Sequence, residues 1–315
     1  MRTEVIGKSG LLSSRFICGC MYTAGTANPV EVDSAKREKA RQFILTAREA
    51  GINHFDHADI YCRGLSEQVF GELLRDTPSL RRNEIIITTK CGIRKVGDPD
   101  AQAPHRYDLS KQHVLWSAEQ SLQRLGVDAI DIYLLHRPDL LMDPAEIAEA
   151  FGQLHAQGKV RYFGVSNFRP EQLEALAAML PMSLVCHQVE IHPGRLDAFT
   201  DGTLDQCMRL GITPTAWSPL WGGRLGDGWT PKPDDPRKEI WERVVPALNA
   251  EAATLGITRA PAAVAWLLKH PSHIMPIIGT MNPQHIRDLA AADAIDMPRE
   301  TWYRIYLAAR GKSLR

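Results

Sequence analysis

The feature that most constrains the fold is an alternation running the length of the chain. Eight short apolar runs, rich in β-branched residues, recur at Arg15–Cys20, Ile52–His57, Ile85–Lys90, Ala129–His136, Val160–Ser166, Leu184–Glu190, Thr213–Ser218 and Ile274–Gly279. Most are near-continuous rather than alternating, the pattern of parallel strands buried on both faces. Between them lie segments with helical spacing: Ser34–Ala50 before Gly51, Ser110–Leu125 before Gly126, Asp143–Gln157 before Gly158, Arg169–Leu180, Thr203–Leu210 and Pro283–Ala292. Ser110, Asp143 and Asn282 stand in N-cap position, and Pro144 and Pro283 at the first helical residue. Further helices are expected at about Lys238–Leu255, Ala260–Lys269 and Pro298–Arg310. Eight strand–helix units with no linker predict one (β/α)8 TIM barrel domain over residues 1–315. A doubly wound sheet would need fewer strands or a second domain. Thr3–Arg15 reads as a hairpin turning at Lys8-Ser9-Gly10, placed to plug the barrel bottom. The irregular stretch Trp221–Arg237, after the seventh run, predicts a mobile loop over the opposite face, and the long loop Gly92–Tyr107 is a second cover.

Composition narrows the function classes. Lys+Arg and Asp+Glu are both 37, so the formal charge is zero and neither nucleic acid nor an anionic membrane is expected as partner. No apolar run approaches the roughly 18 residues of a membrane helix. The start lacks the apolar core of a signal peptide. Six cysteines without a CxxC pair argue against a zinc ribbon or thioredoxin-type motif, and the expected setting is a reducing cytoplasm. Without an interface signal, a monomer acting on a small molecule is expected.

In a barrel the C-terminal strand ends converge on the active site. The polar residues at those ends are Asp56 with Tyr61 just beyond, Lys90, His136, Ser166-Asn167, Gln188 and Glu190, Trp217-Ser218, and Gly279-Thr280. Singly, each has a bland reading: a capping Asp or Asn, a solvated Lys, a structural His. Together they are harder to dismiss. A Lys directly after the run IIITT is costly to bury without an anion, and Asp56 on the adjacent strand supplies one. A phenol, with a reference pKa of about 10, needs a neighbouring ammonium to exchange its proton near neutrality. A carboxylate keeps that ammonium charged, and an imidazole can orient a carbonyl oxygen. The set suits general acid catalysis at a carbonyl. A metal-dependent hydrolase on the same barrel is the competing class, drawing on His54, His57, His136, His187 and His192 with Asp56 and Asp59. Spacing argues against it: His54 and Asp56 share a strand face, His57 points opposite, and no strand offers His-x-His. No metal is expected.

Six strings in order carry a family resemblance. They are GINHFDHADIYCRGLSEQVFGELL (with Gly51, Asp56, Ala58, Tyr61, Glu67 and Gly71), IIITTKCG, IDIYLLHRPD, GKVRYFGVSNF, AWSPLWGGRL and IMPIIGT. Over nearly its whole length the chain resembles the aldo-keto reductases. The resemblance implies NADPH, with NADH possible, reducing an aldehyde or ketone reversibly. Tyr61 would be the general acid, Lys90 the group lowering its pKa, Asp56 the partner of Lys90, and His136 the orienter of the carbonyl. Cofactor contacts would come from Asp56; from Ser166, Asn167 and Gln188 at the carboxamide; from Trp217 against the ring; from Ser218, Leu220, Gly222 and Arg224 along the pyrophosphate; and from Gly279, Thr280 and His285 near the adenosine. The lack of a G-x-G-x-x-G after a first strand agrees with binding outside the Rossmann scheme. Gly279-Thr280 and His285 stand where many NADPH-dependent members have Lys-Ser and Arg, and an Arg there can grip the 2′-phosphate bidentately. Cys62 stands where Gly is common. Tyr22, Arg63, Arg137 and Trp221 are expected to line the substrate pocket. Some relatives of this fold are nonenzymatic nucleotide-sensing subunits; the intact Asp56/Tyr61/Lys90/His136 set favours turnover.

Overall fold

A computed structural model of the chain describes residues 1–314. The expected hairpin comes first: β1 (Thr3–Val5) pairs antiparallel with β2 (Leu12–Ser14), Thr3 opposite Ser14. Eight barrel strands and their helices follow. They run β3 (Ile17–Gly19), α1 (Ser34–Glu49), β4 (His54–Asp56), α2 (Leu65–Asp76) and β5 (Ile86–Cys91), then a small hairpin of β6 (Ile93–Arg94) and β7 (Arg106–Tyr107). Next come α3 (Lys111–Leu125), β8 (Ile130–Leu135), α4 (Pro144–Ala156), β9 (Val160–Ser166), α5 (Pro170–Ala177), β10 (Leu184–Glu190), α6 (Thr203–Leu210) and β11 (Thr213–Trp217). The chain then forms α7 (Lys238–Thr254), α8 (Arg259–Leu268), β12 (Met275–Ile278), α9 (Pro283–Ala291) and α10 (Arg299–Arg310).

The eight parallel strands close into a barrel in the order β3-β4-β5-β8-β9-β10-β11-β12, with β12 back on β3. Their C-terminal ends are in register: Gly19 lies beside Asp56, Asp56 beside Thr88, Lys90 beside Leu134, and Gln188 between Ser166 and Thr215. At the other end, Ile6 of the hairpin is fully buried among Ile17, Ile86, Ile132, Val185, Met275 and Ile277. The hairpin comes so close that a Cβ on Gly7 would lie 2.3 Å from the Val185 carbonyl oxygen. That seals the bottom and leaves the strand C-termini as the open face. Fully burying each such aliphatic side chain contributes about 1.5–3 kcal/mol. Outside the barrel, Phe151 of α4 stacks on Phe163 of β9 with centroids 4.0 Å apart, and Trp266 of α8 stacks on Trp302 of α10 at 5.0 Å.

Two local expectations change, and one helix lies where none was expected. Leu65–Asp76 is helical although no start signal marks it in the sequence. Its N-cap, Gly64, has no side chain to cap with, and its φ of +87° turns the chain into the helix. The helix expected to reach Leu180 ends at Ala177, because Pro181 disfavours helical backbone at the residue before it. The segment expected as loop between Gly92 and Tyr107 contains the β6–β7 hairpin. No described helix is long and apolar enough to cross a membrane.

Candidate active site

The centre of the open face is a buried ammonium. Lys90, on β5, has no exposed surface. Its Nζ lies 2.8 Å from Asp56 Oδ2, 2.6 Å from the His57 carbonyl oxygen and 3.1 Å from the Tyr61 hydroxyl. All three ammonium protons therefore have acceptors. The other oxygen of Asp56 accepts from Gln188 Nε2 at 2.9 Å, from across the barrel. This second hold on Asp56 is not foreseeable from sequence, since the two residues are 132 positions apart.

Tyr61 is delivered by the loop, not the strand. Cys62 and Arg63 follow it with φ of +49° and +56°, then Gly64 at +87°. Three successive left-handed residues reverse the chain from the end of β4 into α2. The left-handed conformation at Cys62 explains why glycine suits that position. The phenol ring meets the His136 imidazole edge-on, centroids 5.9 Å apart at 79°. His136 follows β8. Its backbone N–H donates to the Cys91 carbonyl at 2.8 Å, which holds the start of the loop after β8 against the end of β5. Its buried Nδ1 has no hydrogen-bond partner among the described residues.

The charges follow from this packing. Burial works against the Lys90 ammonium, but Asp56 and Tyr61 outweigh it and raise its pKa above the ordinary value. Burial raises the Tyr61 phenol above its usual value, and Lys90 offsets only part of that rise. Lys90 acts on Tyr61 in the expected direction, lowering its pKa, while desolvation and the Asp56 charge raise it further, so the net shift is upward. Burial, then the charges of Lys90 and Arg137, hold His136 well below the usual range, so it is neutral at pH 7.

His54 and His57 do not join this group. His54 is enclosed between Ser13 Oγ (3.1 Å) and Thr88 Oγ1 (2.7 Å), and burial and the Lys90 charge push its pKa down to about 3. His57 packs edge-on against Phe70 at 4.5 Å. Among the described residues, no group of three or more His, Cys, Asp or Glu is placed to hold a metal ion. Behind the centre lies an acidic layer that the strand-end reading missed. Glu67 is fully buried and accepts from Thr89 Oγ1 (2.5 Å) and Arg124 Nε (2.7 Å). Asp59 accepts from Ser117 Oγ at 2.8 Å, and burial, with Glu67 nearby, pushes its pKa up to about 7. Gly71 brings α2 within reach of this layer: a Cβ there would lie 2.5 Å from the Arg124 carbonyl oxygen.

On the other side of the open face, Asn167 has a left-handed φ of +61°. Its amide donates to Ser166 Oγ (2.7 Å) and the His136 carbonyl (3.3 Å), and its Oδ1 accepts from the Trp217 indole (2.9 Å). The Ser166 hydroxyl proton and Gln188 Oε1 have no protein partner among the described residues. One free donor and one free acceptor fit a carboxamide, which offers the reverse pair. Beyond Trp217 the loop turns through Ser218, Trp221, Gly222 and Gly223, with φ of +51°, +54°, +62° and +90°. Among the described residues the backbone amides of Leu220 and Gly222 donate to no protein acceptor, and the buried Nε of Arg224 has no hydrogen-bond partner, 3.7 Å from Asp235. Unpaired donors beside a guanidinium suit a pyrophosphate. Further round, a Cβ on Gly279 would meet nothing within 4 Å, and Thr280 Oγ1 is 3.4 Å from His285 Nδ1. A groove of about 530 Å³ beside them is lined by Lys39, Gln42, Met281, Asn282 and Pro283. The residues present therefore fit a dinucleotide laid along this rim.

The four expected pocket residues separate. Tyr22 is 58 % exposed, Arg63 is exposed, and Arg137 lies with its guanidinium 5.6 Å from the centre of the Trp217 ring. Trp221 is not at the surface: it is 4 % exposed, stacked on His192 at 5.3 Å and pressed against Gly194. It anchors the loop.

Comparison with known proteins agrees with this architecture. The model of the Aldo/keto reductase family matches residues 17–307. The chain is 43 % identical over 263 residues to the uncharacterized oxidoreductase YcsN of Bacillus subtilis, covering 83 % of this chain and 85 % of that one. It is 38 % identical over 315 residues to the 6-dehydroglucose reductase of Novosphingobium aromaticivorans, covering 98 % and 96 %. A crystal structure of the thermostable aldo-keto reductase Tm1743 with the inhibitor epalrestat superposes with a TM-score of 0.82 at 26 % identity, covering 98 % of this chain and all of that one. By fold, by sequence and by the residues gathered at its open face, this chain belongs to the aldo/keto reductase family.

Proposed function

We propose that the protein reduces an aldehyde or ketone to the alcohol, reversibly, using NADPH and accepting NADH. The observation that carries this reading is the buried Lys90 bridging Asp56 and the Tyr61 hydroxyl. Bound nicotinamide cofactor supplies the hydride to the carbonyl carbon. The rest is done by this chain's side chains. Tyr61, whose phenol stays protonated at neutral pH, gives its proton to the carbonyl oxygen. The Lys90 ammonium, 3.1 Å away, stabilises the phenolate left behind, and Asp56 keeps that ammonium charged and in place. Neutral His136 donates a hydrogen bond to the same carbonyl oxygen and orients it. Ser166, Asn167 and Gln188 would hold the carboxamide of that cofactor, Trp217 would pack on its ring, Ser218, Leu220, Gly222 and Arg224 would bind the pyrophosphate, and Gly279, Thr280 and His285 would border the adenosine. The six cysteines are all free thiols, which suits a cytoplasmic enzyme. The relative named for 6-dehydroglucose makes polar, sugar-derived aldehydes the first substrates to test.

The test is NADPH and NADH oxidation across a panel of aldehydes and ketones, with Tyr61→Phe alongside. The variant is expected to bind cofactor normally, by fluorescence titration, and to lose turnover by about 10²–10⁴-fold. Full turnover in Tyr61→Phe would remove the proposed proton donor.

A further inference from the structure

Arg137 stands at the open face without a counter-charge among the described residues. It directly follows His136 and precedes Pro138, which favours extended backbone at the residue before it. Its side chain is half-buried, yet among the described residues it makes no hydrogen bond or ion pair. The nearest acid in sequence, Asp139, has its two oxygens occupied by the backbone amides of Leu109 (3.0 Å) and Leu141 (2.9 Å). What holds Arg137 is the Trp217 ring, 5.6 Å from the guanidinium carbon, and that ring is fixed in turn by its bond to Asn167. A guanidinium stacked on a fixed indole has its rotamer settled while all five N–H donors stay free. It is also close enough to the reacting centre for its charge to help hold His136 neutral.

We propose that Arg137 is a specificity-determining residue that receives an anionic group, a carboxylate or a phosphate, carried by the carbonyl substrate. The assignment rests on the carbonyl-reducing reading above and names a substrate class within it. A bidentate guanidinium–oxyanion contact is charge-assisted and geometrically selective, so it discriminates an anion from a neutral group of similar shape. A half-buried guanidinium favours that anion more than a fully exposed one would.

The experiment uses two substrate pairs, 4-oxobutanoate against its methyl ester and glyceraldehyde 3-phosphate against glyceraldehyde. Wild-type protein is expected to favour the charged member of at least one pair in kcat/KM by about 10- to 100-fold, the scale of a charged hydrogen bond. Which pair shows the preference distinguishes carboxylate from phosphate. In Arg137→Met that ratio should fall about tenfold or more, mainly through KM, and Arg137→Lys should recover part of it. The NADPH dissociation constant, followed by tryptophan fluorescence, should not move, which separates this role from a cofactor contact. A charged-to-neutral ratio equal in wild type and Arg137→Met, or a weakened NADPH affinity of the same size, would overturn the assignment while leaving carbonyl reduction intact. Absence of turnover on every carbonyl tested would overturn both.

Discussion

Lys90→Met probes the buried charge pair directly. The substitution keeps the length of the side chain and removes its charge, along with the three bonds from Nζ to Asp56, His57 and Tyr61. It leaves Asp56, 3 % exposed, as a buried carboxylate held only by Gln188. Removing one partner of a buried pair costs about 3–5 kcal/mol. With about 2.1 cal/mol/K of unfolding entropy per residue over 315 residues, that is a fall in melting temperature of about 5–8 °C. Asp56→Asn strands the ammonium instead and should cost a similar amount. The double variant Asp56→Asn/Lys90→Met removes both charges of the pair and strands neither, so its loss should be smaller than the sum of the two by about 1–3 kcal/mol. Calorimetry at pH 7 measures the melting temperatures, and urea unfolding measures the coupling. Turnover should be lost in all three: Lys90→Met and the double variant leave Tyr61 no cation to offset its burial, and Asp56→Asn leaves the Lys90 ammonium without the carboxylate that keeps it charged and in place. A Lys90→Met protein melting within about 1 °C of wild type, or strictly additive variants, would refute the desolvated pair on which the mechanism depends.

Two further outcomes follow from the layer behind the site. Asp59 has a folded pKa of about 7 against an ordinary 3.8, so the folded chain keeps a proton that the unfolded chain releases between those values. Its stabilisation is therefore complete below pH about 4 and is lost as pH rises toward 7. Asp59→Asn should gain stability over wild type as pH rises from about 5 to about 8 in urea titrations, and a pH-independent difference would contradict the assigned shift. Gly71→Ala places a Cβ 2.5 Å from the Arg124 carbonyl and 2.6 Å from that of Leu125, so α2 must move off α3. A loss of about 1–3 kcal/mol in urea unfolding is expected, and a gain, as glycine-to-alanine gives in an unobstructed helix, would show that the helices do not pack this closely.

The barrel was readable because burial on both faces imposes a local signature. Eight apolar runs, most of them followed by a periodic segment, leave few alternatives for a chain of this length, and Asp143-Pro144 and Asn282-Pro283 open α4 and α9 as expected. The four polar residues at the ends of β4, β5 and β8 and in the loop after β4 were readable because a barrel brings all strand C-termini to one face. α2 escaped, since Gly64 starts it through backbone conformation and supplies no capping side chain. Trp221 looked like a pocket wall by its place in the chain, and only packing against His192 and Gly194 showed it to be an anchor.

The sequence by itself thus determined the barrel, the family and the identity of the residues at its open face, because periodicity, caps and motif spacing are properties of neighbouring residues. Tertiary structure alone decided that Gln188 holds the second oxygen of Asp56, that burial outweighs Lys90 in setting the Tyr61 phenol, and that Arg137 lies unpaired on Trp217. Each of these depends on desolvation or on contact between distant segments, and neither exists until the barrel closes.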